Sequence, residues 1–312
     1  MDKIQRIQAA LKEEPVDRVP FCVFYHFPEN QRAGEAMAKA HVDYYRAADV
    51  DFLKVMNDNF YSPPEFKGLK ERSDWKGLRP APLSSQRFQD QLSGLKKIVD
   101  AVGDEVMVIT TVFNPFQSLD RICDWTATRQ LKENPEAVDE GLSTVAESLS
   151  GFVRACVEAG ADGMYFAAHG GGRMRHSGDE FEKFIKPHDL AVLRAAEDAG
   201  ATFNLLHVCG EELRLEAYAD YPAHAVNWAP QRGNSSLSEG RRIFKRTVVG
   251  GLDEAGPILT GPRELVVTEV ERAIGEVGAR GLILGAGCAL TRSVSPERIQ
   301  WVREAAQARS EL

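Results

Sequence analysis

The 312-residue chain contains no apolar stretch approaching the roughly 18 to 20 residues needed to cross a bilayer. Its opening, MDKIQRIQAALKEEPVDR, is charged and amphipathic and lacks the apolar centre of a secretory signal. These absences lead to the expectation of a cytoplasmic protein that makes no use of a membrane. Long Lys/Arg runs are missing as well, and the net charge is -8. That balance argues against a nucleic-acid or anionic-lipid surface and leaves small molecules or other proteins as partners. Cysteine is scarce: five residues, Cys22, Cys123, Cys156, Cys209 and Cys288, odd in number and widely scattered. Such a set does not make a secreted disulfide framework, so each is a thiol, a metal ligand or core filler. The phosphate-binding fingerprint GxGxxG does not follow the first apolar run, and no internal repeat, low-complexity tract or linker interrupts the chain.

What remains is a regular alternation. Eight β-rich apolar runs occur in order: VPFCVFY, VDFLKVM, VMVITTVF, GMYFAA, FNLLHVC, HAVNWA, RTVVGGL and GLILGAGC. Between them, apolar residues recur at helical spacing, as in Leu142, Val145, Ala146, Leu149, Phe152, Val153 and Cys156, or Leu190, Leu193, Ala196 and Ala199. Eight strand-helix units with short, continuously apolar strands favour a closed (β/α)8 TIM barrel over an open doubly wound sheet. The expectation is a single α/β domain over residues 1–312, whose first forty residues supply a capping helical segment and the first strand.

A barrel of this kind builds its site at the carboxyl ends of the strands. The run NLLHVCGEEL ends there with His207 and Cys209, two residues apart and therefore on one face of the strand. The last run delivers Cys288 to the corresponding end. Inward-pointing residues of a small barrel converge near its axis, and one imidazole with two thiolates suits a zinc site that keeps a position open. The plain alternative is a buried small apolar residue, and it suffices for Cys22, Cys123 and Cys156.

The stretches FEKFIKPHDLAVLRAAEDAGATFNLLHVCG, VVGGLDEAGPILTGPRELVVTEVERAI and GLILGAGCALTRSVSPERIQWVREAA carry a resemblance. Together with the Pro296–Glu297 pair opening the last helix, they resemble the uroporphyrinogen decarboxylase superfamily. Within it they look most like the zinc-dependent methyltransferases that serve corrinoid proteins, such as the coenzyme M methyltransferases. The resemblance implies that His207, Cys209 and Cys288 bind zinc. It also implies a methyl donor that is a methylcorrinoid on a separate protein, and an acceptor that is a small thiol. Metal-free decarboxylases of the same superfamily are the rival. They grip substrate carboxylates through an arginine-rich stretch after the first strand, where this chain has Tyr25 and His26. Asp58 sits where either a catalytic carboxylate or a loop-capping residue is compatible with the pattern. In the related cobalamin-independent methionine synthases a glutamate about twenty residues after the His-x-Cys completes the metal shell. Here that region reads HAVNWAPQ, so the fourth position falls to water, the substrate, Asp253 or another oxygen.

The chemistry expected of such a site is thiol activation. A thiol has a pKa near 8.5, and coordination removes its proton. Two cysteine thiolates neutralise a zinc ion, so a further thiolate stays nucleophilic. Residues near other strand ends are candidates to shape the substrate pocket: Tyr25, His26, Asn57, Asn114, His169, Asn227 and Asp253. The HGGGR run at 169–173 reads as a glycine-dependent loop, or as an anion cradle of backbone amides.

Overall fold

The computed structural model of the chain describes residues 1–58, 72–75, 77–290 and 294–308. Among the described residues seven strands form one parallel sheet in sequential order: β1 (Phe52–Val55), β2 (Met107–Phe113), β3 (Gly163–Ala168), β4 (Leu205–Val208), β5 (Ala225–Asn227), β6 (Thr247–Leu252) and β7 (Leu282–Ala286). Almost every strand residue is buried, as expected of a parallel sheet covered on both faces. Helices fill the connections. Those introduced here are α1 (Lys3–Leu11), α2 (Gly34–Ala48), α3 (Pro115–Ile122), α4 (Lys186–Asp198) and α5 (Leu237–Phe244). Among the described residues no helix is long and apolar enough to cross a membrane.

The first expected strand departs from the sequence reading. Residues 19–25 do lie between the two edges of the sheet. The Asp51 amide donates to Phe21 O on one side, and Cys22 N donates to Leu284 O on the other. Leu284 N returns a bond to Pro20 O, and Leu290 N bonds Phe24 O. The segment nevertheless makes only isolated parallel bridges, Phe21 with Leu284 and Tyr25 with Leu290, rather than a continuous ladder. Two residues explain the gap. Pro20 has no amide hydrogen, and the Phe21 amide donates at 2.8 Å to the Asp51 carboxylate instead of to a neighbouring strand.

Asp51 is also the anchor of the N-terminal helix. Fully buried, it accepts from Arg6 of α1 at 2.8 Å and from both terminal nitrogens of Arg18 at 2.6 and 2.8 Å. Helix α1 begins at a capping box formed by Asp2 and Gln5, and buries Ile7 and Ala10. Thr247, the first residue of β6, donates to Ala10 O. Because Asp51 and Thr247 both stand at strand beginnings, α1 sits at the amino-terminal end of the sheet. The carboxyl ends, where His207, Cys209 and Cys288 lie, are on the opposite side. A cavity of about 770 Å³ beside α1 is lined by charged residues that pair with one another, as in Arg303 and Lys3 with Asp49.

Candidate metal centre

His207 is the third residue of β4, and Cys209 follows the strand's last residue, its amide bonded to Ala168 O of the neighbouring strand at 2.9 Å. Cys288 follows β7 by two residues. Gly287 between them is required by space, because a Cβ there would stand 2.7 Å from Ala229 Cα. The donor atoms of His207, Cys209 and Cys288 lie within 4.8 Å of one another. Three side chains up to 81 residues apart in sequence thus meet at one point.

The orientation of His207 is fixed from behind. Register pairs it with Asn227 on β5, whose Oδ1 lies 2.6 Å from His207 Nδ1. The Asn227 amide nitrogen is committed to Val249 O at 2.8 Å and Ala286 O at 3.0 Å, so its oxygen must face the ring. In the neutral ring this places the hydrogen on Nδ1 and the lone pair on Nε2, which lies 3.7 Å from Cys288 Sγ. The Tyr165 ring stacks on the imidazole, with centroids 5.1 Å apart and planes 23° from parallel. Phe24 meets Tyr165 edge-on at 5.0 Å.

The two thiols perturb each other. A bond from Cys209 holds Cys288 far below the ordinary thiol range against the effect of burial, with His207 assisting. Cys209 is correspondingly raised, by that same bond to Cys288 and by burial. Two cysteine sulfurs and an imidazole nitrogen, brought together at one point, form a donor set that suits zinc in chemistry and number. Among the described residues the group holds no carboxylate. Asp253 accepts the Ala255 amide at 2.9 Å and caps its own turn.

A cavity of about 350 Å³ opens over Cys209, lined by His169, Met174, Arg175, Glu212 and Arg232 among others. Arg232 is tied to buried Glu254 at 2.7 Å, and Arg175 reaches Asp120 at 2.9 Å. Burial, with the charges of His207 and Arg175, lowers His169 well below the usual imidazole range. The HGGGR loop lies along the residues that follow Cys209: Gly172 bridges Leu213, and Arg173 N donates to Glu212 O. Close approach governs at least one of its glycines, since a Cβ at Gly171 would meet the Tyr218 hydroxyl at 2.2 Å.

The remaining expected site residues divide into two groups. Tyr25, His26 and Asp58 gather near Leu290, two residues beyond Cys288. Tyr25 bridges that residue and packs on Phe27 and Tyr44, and its phenol is pushed up to about 12 by burial. His26 Nδ1 lies 2.9 Å from Asp58 Oδ1, and Arg32 lies 3.4 Å from Oδ2. Burial works to raise the Asp58 carboxyl, but the bond from His26 and the charges of His26 and Arg32 leave it below the usual range. Asn57 and Asn114 serve the backbone. Asn57 donates to Thr111 O, while fully buried Asn114 caps α3 through the Gln117 amide and donates to His169 O and to Asp189 of α4. Sequence reasoning passed over Lys54, Tyr165, Arg175 and Arg232. Of these Lys54 carried a signal, a positive charge in the middle of the apolar run VDFLKVM.

The family model for uroporphyrinogen decarboxylase (URO-D) matches residues 2–309. A curated relative, the methylcobamide:CoM methyltransferase MtbA of Methanosarcina mazei, is 22% identical over 334 residues, covering 97% of this chain and 97% of its own. A uroporphyrinogen decarboxylase of Carboxydothermus hydrogenoformans is 26% identical over 59% of this chain and 51% of its own. The solved structure of a methyltransferase from Methanosarcina mazei superposes with a TM-score of 0.78 at 18% identity over 99% of each chain, which shows a common fold. On the match over residues 2–309, this chain belongs to the uroporphyrinogen decarboxylase (URO-D) family.

Proposed function

We propose that the protein is a zinc-dependent methyltransferase that moves a methyl group from a methylated corrinoid, carried on a separate protein, to a small thiol. The observation that carries this reading is the convergence of His207, Cys209 and Cys288 within 4.8 Å, with Asn227 fixing the imidazole. The name of the relative MtbA, a methylcobamide:CoM methyltransferase aligned over 97% of this chain, supports the choice of donor and acceptor. In this reading the sheet and residues 19–25 make a closed (β/α)8 barrel capped by α1, and residues 1–312 form one domain.

His207 Nε2 and the two cysteine sulfurs would hold the metal. A zinc ion bound there would supply Lewis acidity that keeps an acceptor thiol deprotonated near neutral pH. The acceptor sulfur gives the electron pair for the new bond to the methyl carbon, and the donor keeps the pair of the bond that breaks. Asn227 prevents the imidazole from turning its lone pair away. The cavity over Cys209, bordered by Arg175 and Arg232, receives the acceptor from the strand-end side.

The test is a methyl-transfer assay with free methylcobalamin and a panel of thiols, run beside zinc quantification. Wild type is expected to hold one zinc per chain and to methylate a thiol. Cys209→Ala and Cys288→Ala are expected to lose both while keeping the fold. A protein without zinc that converts uroporphyrinogen to coproporphyrinogen would instead be a metal-free decarboxylase using Asp58.

A further inference from the structure

Lys54 stands in the middle of β1 and is 4% exposed. An ammonium group removed from water needs compensating charge, yet among the described residues Lys54 enters no ion pair. Its Nζ lies over the Tyr165 ring, 4.2 Å from the centroid, and 4.8 Å from the centroid of Phe24. Among the described residues the polar contact of Nζ is to the Met56 sulfur. Aromatic faces attract a cation but leave its net charge intact. The titratable groups facing it from the surrounding elements are Cys22 on the bridging segment, Asp58 after β1 and Cys288 after β7, with His41 of α2 nearby. Of these, Asp58 is already engaged by His26 and Arg32. The same Tyr165 ring is stacked against His207. One phenol ring is therefore in contact with both the lysine charge and the metal-binding imidazole.

A charge count gives this shared ring a purpose. A divalent ion with two thiolates and a neutral imidazole is neutral, and an acceptor thiolate arriving at that centre brings one uncompensated negative charge into a water-poor space. We propose that Lys54 is the buried counter-charge for the acceptor, a positioning residue that favours the thiolate over the thiol at the His207, Cys209 and Cys288 centre. The inference rests on the methyltransferase reading and deepens it: the acceptor class is one that binds as a monoanionic sulfur. Burial lowers the Lys54 ammonium to about 8, with Cys288, Asp58 and Cys22 holding it up, so that the charge is present at neutral pH.

The experiment uses zinc-loaded wild type, Lys54→Met and Lys54→Gln, each titrated with 2-mercaptoethanol between about pH 6 and about pH 9. Calorimetry in two buffers of different ionisation enthalpy reads the protons released on binding. Zinc content and thermal melts are recorded on the same samples. All three proteins are expected to keep one zinc. Wild type should bind the thiol with release of a proton. In both variants the pH midpoint of binding should rise by about one unit, which is about tenfold weaker binding at neutral pH. A pH profile in the variants that superimposes on wild type overturns the assignment. So does loss of zinc or of the fold in both variants, which would make Lys54 a structural group. A wild type that holds zinc but takes up no thiol at any pH overturns the methyltransferase reading as well, and is distinguished by failing before any substitution is made.

Discussion

Replacing Asn227 by Ala separates two things that this residue does at once. Its oxygen accepts from His207 Nδ1 at 2.6 Å, and its nitrogen donates to Val249 O and Ala286 O. All of these groups are buried, so the truncation removes three bonds without letting water in. At about 1 kcal/mol of net stability per bond, the metal-free protein should lose about 3 kcal/mol, read as a lower urea midpoint. Loss of the group that orients a metal-binding histidine costs about 10 to 100-fold in affinity, or about 1.4 to 2.8 kcal/mol. Zinc competition against a chelator of known affinity measures this second quantity. Asn227→Asp supplies the contrast. Its carboxylate still accepts from Nδ1–H, so zinc affinity should be held, but it turns negative oxygens toward two carbonyls, so stability should fall as in the alanine variant. A folded Asn227→Ala protein that binds zinc as tightly as wild type would refute the orienting role.

Three further outcomes follow from the structure. Burial pushes the Asp189 carboxyl up to about 8 despite bonds from Tyr221 and Asn114. A raised acid binds its proton more tightly when folded, so its contribution is full below about pH 4 and is lost as pH rises toward 8. The urea stability of wild type should therefore fall across that window by on the order of 3 to 5 kcal/mol relative to Asp189→Asn, and parallel curves would contradict this. Asp51→Ala leaves Arg6 with Asp17 but takes from the Arg18 guanidinium both of its bonds to the Asp51 carboxylate, and should cost about 3 to 5 kcal/mol in chemical denaturation; a loss below about 1 kcal/mol would show that the cluster is not a buried charge pair in effect. Gly240→Ala in α5 gains about 1 kcal/mol of helix propensity, but its Cβ would stand 2.1 Å from the Trp228 ring. Overpacking of about 1 to 3 kcal/mol outweighs the gain, so the melting temperature should drop rather than rise.

The parts of this molecule that could be read from its sequence are those governed by pattern along the chain. Runs such as VMVITTVF and GLILGAGC announce strands because both faces of a parallel sheet are buried, and β2 and β7 lie within them. His207 and Cys209 share a face because strand side chains alternate, and the end-of-strand position put Cys288 beside them. What the sequence withheld depends on lateral neighbours. VPFCVFY reads as a full strand, and its ladder is broken by Pro20 together with the capture of the Phe21 amide by a carboxylate thirty residues away. Asn227 was visible as a polar residue at a strand end. Its grip on His207 comes from the register of β4 with β5, which spacing does not encode. Asn114 and Asp253 were marked by the same end-of-strand rule, yet they cap a helix and a turn. Lys54 was absorbed into an apolar run because burial of a charge becomes evident only once its surroundings are known.

The bridging segment at residues 19–25 joins the two edges of the sheet through bonds such as Cys22 N to Leu284 O, partners about 260 positions apart. During synthesis that early stretch has no companion on one flank until almost the entire polypeptide has emerged. Contacts so distant along the chain form slowly, and until they do, β1 and β7 expose backbone groups able to pair with other molecules. The assembly step most exposed to misadventure is therefore the joining of its oldest and youngest segments, and a chaperone or a low growth temperature should raise soluble yield more than any substitution at the metal centre.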